Sequence, residues 1–333
     1  MKLIIITLIA LTGILVIANN YLNKTSLEQE QNMSEFINFK TKFNKSYGSS
    51  HEYRMKVFLD NLKFIKNNAA VARSRGFEIG VNEFSDLTFE EFSNIYLTKM
   101  EVSNPPSLEK RTYNFDDVKV RSVDYTTGLE AVKNQGRCGS CWAFSTIAPI
   151  EYAYNKKHNS RNVFSEQHLV DCSKRNNGCH GGLMRLASEF LQQNEIITDS
   201  AYPYRGVESS CKQDSITEGK VQKLSGYKRL DQGNTKQLVE FLQEGPVSVA
   251  IQVTNKFQFY KSGVYHDLPW TGRKLNHGVT AVGYNLDAKD PYFVIRNSWG
   301  AAWGDKGHAK LAVGKKKCGT LGIANNEDTL PLL

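Results

Sequence analysis

The spacing of apolar residues predicts two helices in the first part of the chain. Phe36, Phe39 and Phe43 recur at intervals of three and four residues. The same interval is repeated further along by Val57, Phe58, Leu62 and Ile65. This period is typical of helices with one apolar face, so we expect helices within residues 27–72 that are separated at 47–50. A turn or a short strand is expected at 80–86.

After Gly245 the helical spacing of apolar residues ends, and short runs of β-branched and aromatic residues follow. Bounded by Gly, Pro, Asn and Asp, they predict antiparallel strands at 247–253, 279–284, 292–296 and 308–313. Before them, an apolar segment predicts a helix from Cys141 to about Lys157, kinked at Pro149 because proline lacks the backbone N–H. Helices followed by strands predict an α+β domain with two lobes.

The first residues have the pattern of a secretory signal. Lys2 precedes an apolar run from Leu3 to Ala18 that is shorter than the ~20 residues a membrane-spanning helix needs. We therefore expect residues 1–18 to be a cleaved signal peptide, with a retained membrane anchor as the alternative. Entry into the secretory pathway would place the cysteines in an oxidising compartment.

A helix-breaking segment, Asn104-Pro105-Pro106-Ser107, predicts an exposed boundary between two parts of the chain. Three N-x-Ser/Thr sequons precede it, at Asn23, Asn32 and Asn44, and none follows it. In a secreted chain these sequons predict a glycoprotein whose glycans lie before the boundary.

Charge and composition exclude some functions. The chain has a net charge of +8, with 40% hydrophobic and 23% charged residues. The positive excess is spread along the chain, with its densest run at 315–317, which is typical of a solvated surface. Nucleic-acid binding would require a concentrated basic patch with a matching motif, and the sequence has none.

The six cysteines allow several interpretations. They are Cys138, Cys141, Cys172, Cys179, Cys211 and Cys318. In a secreted chain they can form three structural disulfides in several pairings. A zinc site built from the Cys138/Cys141 and Cys172/Cys179 pairs is an alternative, although the second pair is loosely spaced and an oxidising compartment favours disulfides.

Cys141 differs from the other cysteines because a helix is predicted to begin there. The helix dipole favours an anion at this end, and the thiolate is the nucleophilic form of cysteine. His277 opens an apolar strand, where a histidine in a turn would be an ordinary finding. Asn297 follows a later strand, and its amide oxygen could fix the imidazole tautomer so that the other nitrogen faces the sulfur. Trp299 offers a flat apolar face that could shield this bond from water.

The segment from Gln135 to Phe144 resembles the signature of papain and cathepsin L, and further motifs follow in matching order over about residues 34–325. The resemblance implies that Cys141 is the nucleophile, His277 the acid/base and Asn297 the orienting amide. It also implies that Gln135, with the backbone N–H of Cys141, stabilises the oxyanion. The implied fold is papain-like, with a helical lobe facing an antiparallel β-barrel-like lobe.

The resemblance extends to the substrate cleft and the disulfides. It assigns a glycine-rich wall at 178–182 and an apolar pocket for the second side chain before the cleaved bond, with Ile323 or Ala324 as its floor. The implied substrate-binding residues are Gly139, Gly181, Gly182, Leu183, Met184, Ala250, Leu275, Trp299 and Ala324. The implied disulfides are Cys138–Cys179 and Cys172–Cys211. They leave Cys318 as an unpaired thiol, with an intermolecular disulfide as the alternative.

Two runs resemble the motifs of the family's inhibitory prosegment. One is Arg54-x3-Phe58-x2-Asn61-x3-Ile65, and the other is Gly80-x-Asn82-x-Phe84-x-Asp86. We therefore expect an inhibitory prosegment at 19–118 that releases the enzyme in acid. The peptidase domain would cover 119–333, with the helical lobe at about 119–227 and the β lobe at about 228–333.

These features together predict a cysteine endopeptidase that is made as a zymogen and prefers bulky apolar residues at P2. No metal or organic cofactor is expected. The expected partners are protein and peptide substrates, the chain's own prosegment and cystatin-type inhibitors, and the enzyme is expected to be a monomer in the lysosome, the vacuole or the extracellular space. The alternatives are a catalytically inactive homologue with a binding role and an exopeptidase. The intact site residues argue against the first, and the absence of a cleft-blocking insertion between Cys138 and Cys211 argues against the second.

Overall fold

The computed structural model describes residues 27–98, 100, 114–266, 275–314, 319–325 and 328–333. The predicted signal peptide, the linker at 104–107, the sequon at Asn23 and Cys318 lie outside this part of the chain. None of the helices in the described ranges has the length and apolar character needed to cross a membrane.

Helices form at both predicted places in the first part of the chain and at Cys141, as predicted. The helices are α1 (27–42), α2 (His51–Ser74), α3 (Phe89–Tyr96), α4 (Cys141–His158), α5 (Glu166–Cys172), α6 (Met184–Gln193), α7 (Thr235–Leu242) and α8 (Asn255–Gln258). Short 3-10 turns lie at Gly48–Ser50, Gly178–His180, Gln213–Ser215 and Thr320–Gly322. The predicted break between α1 and α2 is the first of these turns, and α4 ends one residue after its predicted end.

Pro149 does not interrupt α4. A proline at this position removes the hydrogen bond to the carbonyl of Ser145. That carbonyl instead accepts hydrogen bonds from Ser248 Oγ at 2.7 Å and from Thr280 Oγ1 at 3.5 Å. Because the sheet supplies these hydroxyl donors, the helix remains continuous, and the same bonds fasten α4 to the strands that carry Ser248 and Thr280.

The strands form one open sheet across the described residues. They are β1 (Phe77–Ile79), β2 (Ser122–Asp124), β3 (Gly226–Arg229), β4 (Val247–Ile251), β5 (Tyr260–Tyr265), β6 (His277–Asn285), β7 (Tyr292–Arg296), β8 (His308–Ala312) and β9 (Thr329–Leu332). Their order is β1-β5-β8-β7-β6-β4-β9-β3, and β2 pairs with β6. The four predicted strands, β4, β6, β7 and β8, pair antiparallel as predicted. β5 and β8 are parallel, and the barrel-like lobe is an open sheet rather than a closed one.

Two large apolar clusters fill the two lobes. One lies on the sheet, and the other surrounds the first half of α4, where every residue from Cys141 to Glu151 is buried. Fully burying a large apolar side chain such as Ile147 or Ile150 contributes roughly 1.5–3 kcal/mol. The first half of the helix is therefore held by packing on all of its sides. A third, small cluster joins α1 to α2 through Phe36, Phe39, Phe58 and Leu62.

The segment before the linker extends the sheet formed by the strands after it. β1 pairs antiparallel with β5, and Phe77 lies opposite Gly263. Gly263 has a φ of +83°, and a Cβ at this position would lie 2.3 Å from the carbonyl oxygen of Gly76. Glycine is therefore required for the two backbones to approach this closely.

Candidate active site

Cys141 is the first residue of α4 and is fully buried. The preceding turn is held against the glycine-rich wall, because the N–H of Gly139 donates to the carbonyl of Cys179 at 2.8 Å and Cys138 forms a disulfide with Cys179. A Cβ on Gly139 would lie 2.5 Å from that carbonyl oxygen. This close approach fixes the position of the sulfur at the helix N-terminus.

His277 and Asn297 meet because β6 and β7 are antiparallel neighbours. His277 Nε2 lies 2.7 Å from Asn297 Oδ1, which also accepts from the N–H of Ser298. Since the amide oxygen can only accept, Nε2 carries the hydrogen. His277 Nδ1 is buried and has no hydrogen-bond partner in the described ranges. The ring of Trp299 is stacked on His277 with 4.6 Å between the centroids.

The sulfur of Cys141 lies directly beside the histidine strand. The N–H of Gly278, the residue after His277, donates to Cys141 Sγ at 3.4 Å. Burial raises the pKa of the Cys141 thiol to about 12. Burial also lowers the pKa of His277 to about 4, which the hydrogen bond to Asn297 offsets only in part. The covered site therefore favours a neutral thiol beside a neutral imidazole.

Gln135 is buried next to the turn that leads to Cys141. Its Nε2 donates to the carbonyl of Cys138 at 2.9 Å and to the carbonyl of Tyr96 at 3.1 Å. Because these two carbonyls can only accept, they fix Nε2 as the donor end of the amide, and Ser298 Oγ donates to Oε1 at 2.8 Å. The side chain therefore presents an N–H to a carbonyl oxygen that lies in the cleft.

The chain after α3 occupies the cleft over Cys141. The N–H of Thr98 donates to the carbonyl of Asn276 at 2.8 Å, and the N–H of Met100 donates to the carbonyl of Leu275 at 3.2 Å. Thr98 also packs on Gly181, where a Cβ would lie 1.6 Å from Thr98 Oγ1. Residues 96–98 and Met100 thus form an extended cover that excludes both water and substrate.

Met100 is buried at the apolar end of the covering segment. It is 1% exposed and belongs to the cluster that contains Cys141, Met184, Ala250 and Leu275. Leu183 is partly buried and packs against the same cluster. The structure therefore places four of the predicted pocket residues in or against the same apolar cluster as Met100.

The other predicted substrate-binding residues are placed differently. Gly181 and Gly182 form the wall, and a Cβ on Gly182 would lie 2.6 Å from the ring of Trp142. Ala324 and Ile323 are fully buried in the sheet cluster, not in the cluster around Met100. Trp299 also lies in the sheet cluster, where Phe84 and Phe92 of the prosegment contact it edge-on.

The disulfides decide against the zinc-site interpretation of the cysteines. Cys138–Cys179 and Cys172–Cys211 are disulfides, and they are the pairs that the resemblance implies. Three of the four thiols required for the zinc alternative are therefore oxidised, so that interpretation is wrong. Within the described ranges Cys141 is the free cysteine.

Sequence reasoning missed a buried ionic group behind the site. Lys133 Nζ lies 2.7 Å from both Glu151 Oε1 and Glu166 Oε1. Burial raises the pKa of Glu166 to about 7, although Lys133 opposes the shift. These residues, with Asn297, line a small polar cavity between α4 and the sheet. No local motif marks them, because α4, α5 and the segment of Lys133 contribute one residue each. Met100 was missed for a similar reason, since it stands alone beside the linker.

This combination of a helical lobe, an open sheet lobe, a cysteine beside a histidine–amide pair and a covering N-terminal segment defines a cysteine protease precursor. Residues 116–327 match the papain family cysteine protease domain, and residues 36–92 match the cathepsin propeptide inhibitor domain. The chain belongs to the papain family and is a zymogen of the cathepsin L-like endopeptidases.

Relatives and solved structures agree with this assignment. The chain is 35% identical over 302 residues to a cathepsin L-like proteinase of Fasciola hepatica, covering 86% of this chain and 90% of the relative. It is 36% identical over 312 residues to cathepsin L 2 of Paramecium tetraurelia, covering 91% and 95%. The structure of digestive procathepsin L 3 from Tenebrio molitor larval midgut is similar with a TM-score of 0.77 at 33% identity, covering 91% of this chain and 99% of that one. The recombinant stem bromelain precursor gives a TM-score of 0.80 at 31% identity, covering 91% and 99%.

Proposed function

We propose that this endopeptidase cleaves peptide bonds with Cys141 as nucleophile, His277 as acid/base and Asn297 as the orienting amide. The observation that carries the proposal is the 2.7 Å bond between His277 Nε2 and Asn297 Oδ1. It leaves Nδ1 as the free nitrogen on a residue whose neighbour, Gly278, already contacts the sulfur.

The proposed reaction begins when the prosegment leaves and water enters the cleft. Rehydration stabilises charge, so the proton of Cys141 moves to His277 Nδ1 and gives a thiolate–imidazolium pair. The thiolate attacks the carbonyl carbon, and Gln135 Nε2 and the N–H of Cys141 hold the oxyanion. His277 then protonates the leaving amine, and water, deprotonated by His277, hydrolyses the acyl-enzyme and restores the thiol. Water supplies the hydroxyl group of the acid product, and the proton that His277 takes from it returns to the sulfur of Cys141.

The proposed substrate is an extended peptide with a bulky apolar residue at P2. Met184, Ala250 and Leu275, with Leu183 at the edge, are the proposed pocket wall. Ala324 is the proposed floor on the resemblance alone, since it packs in the sheet cluster. Burial of Met100 in the same cluster as Met184 supports an apolar occupant. A Leu or Phe side chain would gain roughly 1.5–3 kcal/mol there. An Arg side chain would bury an unpaired charge against this wall.

The proposed regulation is inhibition by residues 19–118 and release in acid, with a peptidase domain at 119–333 divided at about 227. We further propose a monomer that works in the lysosome, the vacuole or outside the cell. Cystatin-type inhibitors would compete for the same cleft. We propose no nucleic-acid partner, because the positive charge is spread along the chain and not concentrated in a patch.

The proposal is tested on the Cys141→Ala precursor. We expect a folded precursor whose melting temperature is close to that of the wild type and whose peptidase activity after acid treatment is absent. Because the variant cannot cleave its own prosegment, active enzyme is added to remove the prosegment and is then separated from the product. This control excludes a covered site as the cause of inactivity. Substantial hydrolysis by the processed variant would exclude Cys141 as the nucleophile.

A further inference from the structure

The phenol of Tyr204 joins the two ends of the turn that leads to Cys141. Tyr204 lies in the loop between α6 and β3, and its hydroxyl donates to the carbonyl oxygen of Gln135 at 2.7 Å. The same phenol oxygen lies 2.7 Å from Ser140 Oγ. Because the phenol has one hydrogen and the carbonyl can only accept, the Ser140 hydroxyl donates to Tyr204.

Ser140 has an unusual environment for the residue that begins a helix. A serine at the N-cap ordinarily accepts a hydrogen bond from an amide of the first turn. Ser140 is the fully buried N-cap of α4, yet its side chain forms no such bond. Its hydroxyl is directed to Tyr204 instead. The chain Gln135–Tyr204–Ser140 therefore connects the proposed oxyanion donor to the residue directly before Cys141.

A backbone hydrogen bond holds Gln135 in place, and ring packing holds Tyr204 in place. The N–H of Gln135 donates to the carbonyl of Ser298 at 2.8 Å, which ties Gln135 to the sheet lobe. The ring of Tyr204 packs edge-on against Phe144 of α4, with 4.9 Å between the centroids. Burial raises the pKa of Tyr204 above its ordinary value, so the hydroxyl keeps its proton and remains a donor.

We infer that Tyr204 is a positioning residue for the oxyanion site, an inference that rests on the proposed function of Gln135 and Cys141. The two proposed donors, the Gln135 side chain and the Cys141 N–H, lie at opposite ends of a turn that contains Gly136 at a φ of +60° and Gly139. The Tyr204 hydroxyl bonds to Gln135 at one end of the turn and to Ser140 at the other, so it fixes the distance between the two ends. A displacement of one donor by about 1 Å can reduce the rate by roughly 10²-fold.

The test uses the acid-activated enzyme with Tyr204→Phe, which removes the hydroxyl and keeps the ring. We expect kcat to fall by about 10- to 100-fold while KM for a short peptide amide changes little, since the defect lies in the transition state. Binding of a peptidyl aldehyde, whose thiol adduct carries a tetrahedral oxygen, should weaken by the same factor. Binding of the matching alcohol should be unchanged.

Ser140→Ala provides a second route if Tyr204→Phe folds poorly. It should lower kcat in the same direction, and the double variant should lose less than the product of the two effects, because both remove one hydrogen-bonded unit. The matched control is Tyr202→Phe in the same loop, which removes a bond to Asp171 at 2.9 Å and should leave kcat unchanged.

Gln135→Ala separates failure of the inference from failure of the proposed function. It should lower kcat by roughly 10²- to 10³-fold if its amide holds the oxyanion. The positioning role alone would be overturned by the following result. Gln135→Ala loses kcat, whereas Tyr204→Phe and Ser140→Ala both keep the kcat and the aldehyde affinity of the wild type. Unchanged kcat in Gln135→Ala would overturn the oxyanion assignment itself, and the positioning role with it.

Discussion

The carbonyl oxygen of Tyr96 lies 3.1 Å from Nε2 of Gln135, so the prosegment backbone already uses the amide donor that we propose for the oxyanion. The cover over the cleft thus acts on the chemistry as well as on access. It occupies a donor, and in the covered site burial raises the pKa of the Cys141 thiol and lowers the pKa of His277.

Met100 should contribute to inhibition through the pocket it fills. In the precursor, Met100→Arg would bury an unpaired charge and should raise hydrolysis of a small peptide at neutral pH by at least ~10-fold. Met100→Leu keeps volume and polarity and is the matched control. Equal inhibition by all three precursors would show that the pocket contact carries no binding energy.

Substrate selection should follow the same pocket. Matched substrates with Phe-Arg and Arg-Arg before the cleaved bond should differ in kcat/KM by at least ~10-fold in favour of Phe at P2, because burial of Phe is favourable and burial of Arg is not. Steady-state kinetics of the mature enzyme measures this ratio. Comparable values would contradict the apolar wall around Met184.

The Arg54–Glu91 ion pair should set part of the acid response. Burial disfavours the charged form of Glu91, but the bonds from Arg54 and from the N–H of Thr88 outweigh it and lower its pKa below the ordinary value. This stabilisation is present above the ordinary pKa of ~4.3 and is lost as the pH falls through the lowered value. Glu91→Gln removes it at every pH, at a cost of about 0.2–1 kcal/mol, since the pair is partly exposed.

The expected result for Glu91→Gln is autoprocessing at a higher pH than in the wild type. A pH series of precursor conversion followed by gel electrophoresis measures the midpoint. The adjacent exposed Glu90 supplies the control, Glu90→Gln. Coincident midpoints for both variants and the wild type would argue against a role for the pair.

Glu83 should act in the opposite direction. Burial raises the pKa of Glu83, and its Oε2 has no hydrogen-bond partner in the described ranges. A raised pKa means that the charged form destabilises the docked prosegment at neutral pH and that acid relieves this penalty. Glu83→Gln should therefore raise the melting temperature of the precursor at pH 7 and slow its activation. A lower melting temperature at pH 7 would show that the carboxylate is stabilising.

Cys318 should be a free thiol in the mature enzyme. Cys138, Cys172, Cys179 and Cys211 are paired, so Cys141 and Cys318 are the two cysteines left over. Thiol titration under denaturing, non-reducing conditions should find both. A covalent dimer on a non-reducing gel would support the intermolecular disulfide instead.

The sequence predicted the parts of the fold that depend on local spacing. The spacing of apolar residues predicted α2, and the apolar segment that begins at Cys141 predicted α4, because each pattern lies in consecutive residues. The parallel contact of β5 with β8 was not foreseen, since pairing of distant strands leaves no local pattern. The sequence predicts a kink at Pro149 but does not reveal the hydroxyl donors of Ser248 and Thr280 that compensate the missing bond, since these residues are distant along the chain.

The pairing of β1 with β5 has a consequence for the enzyme after activation. Removal of the prosegment leaves β5 at the edge of the sheet, where unpaired backbone groups can recruit a strand from another molecule. The register of this pair shifts between Glu78 and Ile79, opposite the exposed Lys261. A lysine and an irregular backbone on an edge strand both discourage such pairing. β5 thus combines a docking edge for its own prosegment with features that protect the mature enzyme from aggregation.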